Sequence, residues 1–413
     1  MMMSASDSHS LAWAAARSTA RELGATVAQE HGDQKLAHTV ALAQAHGAAL
    51  ATDLVATSDV PTVDTAAMDG YAVCGAGPWT VLGRTLAGAA PTVTALAPGQ
   101  ALEIATGAPV PHGTESVLPY EQAEHAGDDL SGNIAPGRHV RRRGEDITVG
   151  QIVLPAGTQV TPSVSGLAAS LGYDGLEVRR PPVCLLVTGD EVRTSGQPGP
   201  GEVRDAIGPV VPGLVGWAGG TVTWQQHLGD DDAELGRALA RAQAETAAPV
   251  IVVGGASSAG PADHLRSALQ KLGADIVVDG VACRPGHPQL LAWLTSPLSP
   301  PSVVVGLPGN PYAALGAALT LLVPAVAACA NRVDPTRSPA LSCVRSTEIR
   351  AHDRDTRLVA VRLRADEAGQ APVAAPVGHD RPASLWGTAS ADALAVVPPR
   401  SSHSTVDLLW LPR

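Results

Sequence analysis

Hydrophobic and polar positions change rhythm along this chain, and each change predicts a different kind of element. Over residues 11–50 an alanine-rich text spaces apolar residues at helical intervals, which predicts one or two helices. From 51 to 136 short β-prone runs ("WTVLG", "QALEIATG", "ESVLPYE") stand between Gly and Pro, the pattern of a small β domain. Residues 137–180 carry turns at Gly144, Gly150 and Gly157 ahead of a helix around 163–171. This stretch reads as a return to the first domain, so the β domain is an insertion in an elongated unit made of 1–50 and 137–180. Past Pro181 apolar runs alternate with helices: "VCLLV", a helix at 208–218, "TVTWQQ", a helix at 232–243, "VIVVG", a helix at 262–272, then "SVVVG" and its helix. Alternating buried strands and helices predict a doubly wound parallel sheet over 181–330. Residues 331–413 return to short strands ("RLVAVRLRA", "ALAVVPP", "TVDLLWL") and predict a terminal, barrel-like β domain. The fold class is therefore multidomain α/β plus β.

Composition supports this division. The 413 residues are too many for one small core, and 45% hydrophobic against 16% charged residues can bury a large one. A net charge of −11 argues against a nucleic-acid partner. Cys74, Cys184, Cys283, Cys329 and Cys343 form no CxxC pair, which favours buried, reduced thiols in a cytoplasmic protein over a disulfide or zinc framework. The opening "MMMSASDSHS" lacks the basic start and apolar core of an export signal. The long apolar run 312–330 is mostly alanine and contains Pro324, so a buried helix is expected there rather than a membrane span.

In an open parallel sheet ligands bind beyond the carboxyl ends of the strands. The loops expected on that rim are Thr188-Gly189-Asp190-Glu191, then 255–260 with Asp263 just beyond, then Leu307-Pro308-Gly309-Asn310-Pro311. Glycine and serine loops ahead of helix N-termini offer N–H groups and a dipole to an anion, worth about 0.3–1 kcal/mol for a nearby charge. The rigid Pro-Gly-Asn-Pro turn is expected to meet a phosphate there. Neither GxxxxGK[ST] nor GxGxxG follows a strand, which disfavours an ordinary ATPase or dinucleotide enzyme. Glu191, Asp263 and the run Asp230-Asp231-Asp232 would repel an anion unless a hard divalent cation, Mg2+, bridged them. Each acid also has an ordinary explanation, with Asp232 near a helix N-cap and Asp263 in a first helical turn. "GGASSAG" lies close to a G-x-S-x-G nucleophile elbow, with His264, His287 or His379 as base, but Ala259 stands where the second glycine belongs.

Taken together, "DTAAMDGYAV" (64–73), "IATGAPVPHG" (104–113), "RRRGEDI" (141–147), "VTGDEV" (187–192), "RPGHP" (284–288) and "GLPGNP" (306–311) resemble the molybdopterin molybdenumtransferase family, the MoeA and gephyrin E-domain group. The resemblance spans nearly the whole chain. It implies a homodimer of four-domain subunits, a molybdopterin-binding sheet domain, and conversion of adenylylated molybdopterin and molybdate to molybdenum cofactor with release of AMP. By the same resemblance Asp69, Thr106, Glu191, Asp231, Asp232 and Asp263 are catalytic, and Glu191 and Asp263 hold Mg2+. Substrate contacts fall to Gly189, Asp190, Gly255, Ser258, Arg284, His287, Pro308, Gly309, Asn310, Arg357 and Arg362, while Arg141 and Asp146 give structural support. Further partners are the upstream adenylyltransferase or a peptide of another protein, with no nucleic acid and no membrane.

The chain departs from the family pattern at Ala66, Ala206, Ile207, Ala256, His287 and Trp386. His287 replaces a permanent cation by a titratable ring. Loss of loop serines and lysines with the fold kept leaves a second reading, a dimeric gephyrin-like scaffold that binds a protein partner.

Overall fold

The computed structural model of this chain describes residues 10–32, 36–88, 93–126, 129–246, 248–255, 264–337, 343–346, 348–365, 372–379 and 381–412. Two compact units emerge, one of residues 1–52, 156–165 and 175–413, the other of 53–155 with 166–174.

The first unit is built on a six-stranded sheet in the order Thr221–Leu228, Pro182–Thr188, Val250–Gly254, Ser299–Leu307, Leu290–Ser296, Asp275–Asp279. Along Pro182–Thr188 the side chains alternate between two cores. Val183, Leu185 and Val187 enter one, while Cys184 and Leu186 enter the other. Both faces are covered, which is why the strand reads as an unbroken apolar run.

The first four strands of that order are parallel, as expected, but Leu290–Ser296 runs antiparallel to them, and Asp275–Asp279, antiparallel in turn to Leu290–Ser296, again runs with the first four. The physical reason is a short connection: only Pro297 and Leu298 separate Ser296 from Ser299. Two residues can close a hairpin but cannot make the crossover that a parallel neighbour needs.

The N-terminal helix Trp13–His31 packs against Val323–Cys329 of the same unit. Gly24 permits this approach, because a Cβ there would lie 2.1 Å from the Ala325 carbonyl oxygen. Buried Arg17 ties the helix further, donating to the Leu319 carbonyl, the Asp334 carboxylate and the Thr336 hydroxyl. The helical reading of 11–50 holds for Trp13–His31 and for the single turn Leu42–Ala45, but not for the stretch just before that turn. Ala37–Ala41 is a strand paired antiparallel with Gly175–Arg179. The apolar stretch Pro311–Cys329 is long enough to cross a membrane by length and hydropathy, yet nearly all of it is buried inside the fold.

Toward the C-terminus Thr356–Arg364, Val373–Pro376, Cys343–Arg345, Thr405–Trp410 and Ala393–Val397 form a ring of strands. The last pairs back onto the first, giving the expected barrel-like closure. Val281–Arg284 adds a parallel strand outside the ring, with Cys283 opposite Thr356 and Arg284 opposite Arg357.

The second unit holds another six-stranded sheet, ordered Ala123–Ala126, Asp129–Gly132, Trp79–Thr85, Gln100–Ile104, Gly70–Cys74, Ser116–Pro119. Its "RRRGED" loop is an ion-paired turn. Arg142 meets Asp64 at 2.7 Å, Arg143 meets Asp59 at 2.5 Å, and Arg141 pairs with Asp146.

Candidate functional site

At the carboxyl ends of three parallel strands the chain bends sharply and the bends touch. Gly255 N–H donates to the Leu307 carbonyl at 3.0 Å, and Thr188 Oγ1 donates to the Gly254 carbonyl at 3.2 Å. Gly255 has φ +100°, and a Cβ there would stand 2.6 Å from the Thr188 carbonyl oxygen, so only glycine fits. A cavity of about 440 Å³ opens beside these bends, lined among others by Thr188, Glu191, Asp205, Gly255, Gly309 and Asn310.

Two carboxylates stand on its wall. Asp205 Oδ1 accepts the N–H groups of Ile207 and Gly208 at 2.9 and 2.8 Å and so caps the helix Ile207–Trp217. Glu191 is held through its backbone, whose carbonyl accepts the Val203 N–H at 2.8 Å, and its exposed carboxylate has no hydrogen-bond or ion-pair partner among the described residues. No group of three or more His, Cys, Asp or Glu converges among the described residues.

A second cavity of about 810 Å³ shares Asn310 with the first. Its wall carries Arg284, His287, His352, Arg357 and Arg381, so it is basic within an acidic chain. The loop bearing Arg284 and His287 lies hard against the helix Pro311–Ala317. A Cβ on Gly286 would approach the Ala313 carbonyl oxygen at 3.0 Å, and one on Gly316 the Pro285 carbonyl oxygen at 3.1 Å. Arg284 Nε donates to Asp355 Oδ2 at 2.5 Å, and Arg357 Nη1 donates to the Arg350 carbonyl at 2.5 Å.

One expectation about this rim is corrected. The helix after the Pro-Gly-Asn-Pro turn does not present its first N–H groups to an anion. The Pro382 carbonyl accepts from Tyr312 at 2.8 Å and from Ala313 at 3.3 Å. The positive charge of the larger cavity's wall comes from side chains and not from that helix terminus.

The remaining residues singled out from sequence divide. Pro308 lines the larger cavity and Gly309 the smaller. Asp190 and Asp230 exchange backbone-to-carboxylate hydrogen bonds of 3.3 Å, and the Gly189 carbonyl meets His227 Nε2 at 2.9 Å. Asp231 accepts the Glu234 N–H at 2.8 Å at the start of a helix. Asp232 pairs with Lys271, which holds its carboxyl below the usual range, and also accepts from Ser267 at 3.0 Å. None of these five lines either cavity. Arg362 donates to the Ser390 carbonyl at 2.6 Å and is absent from the wall that holds Arg357. The two are an odd number of positions apart on one strand, so their side chains leave opposite faces. In the second unit Asp69 Oδ1 accepts the Thr106 N–H at 2.8 Å, bringing those two residues together. Ser258, Asp263 and the serine of the elbow-like "GGASSAG" lie outside the described residues.

Sequence reasoning passed over Asp355, His352 and Arg381, and at Asp205 it saw only the residue before the Ala206-Ile207 departure. All five cysteines are buried and free, and burial pushes the Cys283 thiol up to about 12, which suits a packing role.

The family model described as "MoeA N-terminal region (domain I and II)" matches residues 12–172, and one described as "Probable molybdopterin binding domain" matches 184–328. Molybdopterin molybdenumtransferase 2 of Mycobacterium tuberculosis is 36% identical over 318 residues, covering 72% of this chain and 76% of that protein. The molybdopterin molybdenumtransferase of Bacillus subtilis is 29% identical over 368 residues, covering 84% and 83%. The solved molybdopterin biosynthesis MoeA protein of Pyrococcus horikoshii superposes with a TM-score of 0.72 over 95% of this chain and 98% of its own at 20% identity, a likeness of fold. The chain belongs to the molybdopterin molybdenumtransferase (MoeA) family and is a transferase of molybdenum cofactor biosynthesis.

Proposed function

We propose that this chain inserts molybdate into adenylylated molybdopterin with release of AMP, in a Mg2+-dependent reaction at the two adjoining cavities. The observation that carries the proposal is the meeting, at Asn310, of a cavity that holds the carboxylates Glu191 and Asp205 beside Arg204 with one whose charged wall is cationic. The tetrahedral oxyanion and the phosphates of the substrate are held by Arg284, His287, Arg357 and Arg381. Gly255 and Gly309, having no side chains, let a phosphate approach the strand ends closely.

The residues present suit Mg2+. That ion is commonly bound through one or two carboxylates together with substrate phosphates and water, and Glu191 and Asp205 supply such a pair. When bound there it would polarise the phosphoanhydride of the adenylylated substrate. Ser258 and Asp263 keep in this proposal the oxyanion and metal roles that the family resemblance implies, and so do Asp69 and Thr106 as catalytic residues. A homodimer belongs to the same reading, checked by a solution mass twice the 41.9 kDa of the chain.

Purified protein incubated with Mg2+, molybdate and adenylylated molybdopterin is expected to release AMP, and to stop doing so when Mg2+ is chelated. Folded protein that releases none with all three present overturns the proposal.

A further inference from the structure

We propose that Asp355 is a positioning residue for oxyanion binding, holding Arg284 so that its guanidinium works together with Arg357 on the wall of the larger cavity. This rests on the reading of that cavity as the oxyanion side of the site.

Asp355 is 9% exposed and lies behind Arg284 rather than on the cavity wall. Its Oδ2 accepts from Arg284 Nε at 2.5 Å, while the Arg284 side chain remains 63% exposed. A guanidinium gripped through Nε keeps its remaining N–H donors for another ligand, and its rigid plane then fixes where they point. Ungripped, a long arginine side chain that is mostly in solvent would spend rotamer entropy on every anion it bound.

The carboxylate is itself held in place. His352 Nδ1 lies 3.4 Å from Asp355 Oδ2, but that nitrogen already accepts the N–H groups of Arg354 and Asp355 at 3.2 and 3.1 Å. These two backbone contacts fold the turn that carries Asp355. Arg284 is the cation that Asp355 serves. The strand pairing that sets Arg284 opposite Arg357 brings the two guanidinium stems out side by side.

Coulomb's law and positioning predict opposite signs. A carboxylate near a basic cavity repels an oxyanion, so on charge alone its removal should tighten anion binding. If Asp355 positions Arg284, removal should weaken it. Equilibrium dialysis of the full-length protein against molybdate measures which occurs. Asp355→Asn is expected to bind molybdate about tenfold more weakly, the loss typical when a group that orients a ligand-binding side chain is removed. In the AMP-release assay the same variant raises KM for molybdate while kcat stays within about twofold. In an Arg284→Lys background, where the Nε contact no longer exists, Asp355→Asn adds less than about a twofold loss.

Binding by Asp355→Asn as tight as wild type or tighter overturns the proposal, and so does a loss that persists undiminished in the Arg284→Lys background. Should Asp355→Asn not fold, Asp355→Glu keeps the charge but displaces the carboxylate by a methylene. It is expected to weaken molybdate binding severalfold, and unchanged binding overturns the proposal. Wild-type protein that binds no molybdate overturns the cavity reading and this proposal with it, whereas the variant outcomes with wild-type binding intact bear on Asp355 alone.

Discussion

Arg284 and Arg357 are register partners on adjacent parallel strands, and both line the larger cavity. Strands so paired stand about 5 Å apart, close enough for two guanidinium groups to repel unless something negative lies between or behind them. Asp355 answers Arg284 and the Arg350 carbonyl answers Arg357, leaving a positive field directed outward. Replacing either arginine by alanine is expected to raise KM for molybdate by tenfold or more. On the proposed reading both act on one ligand, so the double variant should lose less than the product of the single losses. Independent, fully multiplicative effects in steady-state AMP release would show that the two do not share a ligand.

The carboxylates of the smaller cavity separate function from stability. Glu191 has no partner among the described residues, so Glu191→Gln should leave the melting temperature within experimental scatter while raising the Mg2+ concentration needed for half-maximal activity by tenfold or more. Asp205 also caps a helix through Ile207 and Gly208. Asp205→Ala should therefore cost about 1 kcal/mol of folding free energy as well as activity. Differential scanning fluorimetry beside a Mg2+ titration checks both, and equal melting losses in the two variants would contradict the assignment.

The sequence showed the elements whose pattern is local and hid those that depend on distant partners. Val250–Gly254 reads as a buried strand because both of its faces are covered, so every position is apolar. Leu290–Ser296 opens on a comparable apolar run, yet its direction is decided by the two-residue connection that follows it. The strand Ala37–Ala41 is short and sits in helix-favouring text, and its partner Gly175–Arg179 comes much later in the chain. At the site, glycines and prolines marked the turns, and the flanking Arg284, His287 and Arg357 were legible from motifs. Asp355 and His352 lie in an irregular stretch with no periodicity, and Asp355 meets Arg284 because Val281–Arg284 joins the C-terminal sheet beside Thr356–Arg364. In the acidic run at a strand end, Asp231 accepts an N–H at a helix start and Asp232 pairs with Lys271, partners that no local pattern in the sequence announces.

Gly24 tests how tightly the N-terminal helix is bound into the first unit. A methyl group there would stand 2.1 Å from the Ala325 carbonyl oxygen, which belongs to helix backbone and has little room to retreat. Helix propensity alone predicts that Gly24→Ala stabilises by about 0.5–1 kcal/mol. Overpacking, at about 1–3 kcal/mol, outweighs that gain, so the variant should be the less stable protein in urea unfolding. A stabilised Gly24→Ala would mean that the two helices can separate without cost.

The ion-paired turn of the second unit gives a pH dependence whose sign follows from its hydrogen bonds. The Val149 N–H and then the Arg143 guanidinium hold Asp59 below the usual carboxylate range, while the Arg143 N–H and then the Arg142 guanidinium do the same for Asp64. Folded-state values below the unfolded ones mean that the unfolded chain binds more protons as pH falls. The stabilisation is then fully present above the ordinary carboxylate value of about 3.9 and is lost as pH drops through the lowered folded values. Asp64→Asn removes one of these groups, so it should melt lower than wild type at neutral pH, and the gap should narrow steadily below about pH 4. Thermal melts of both proteins across that range measure it. A gap that stays constant from neutral to acid would mean that Asp64 contributes shape to the turn and not charge.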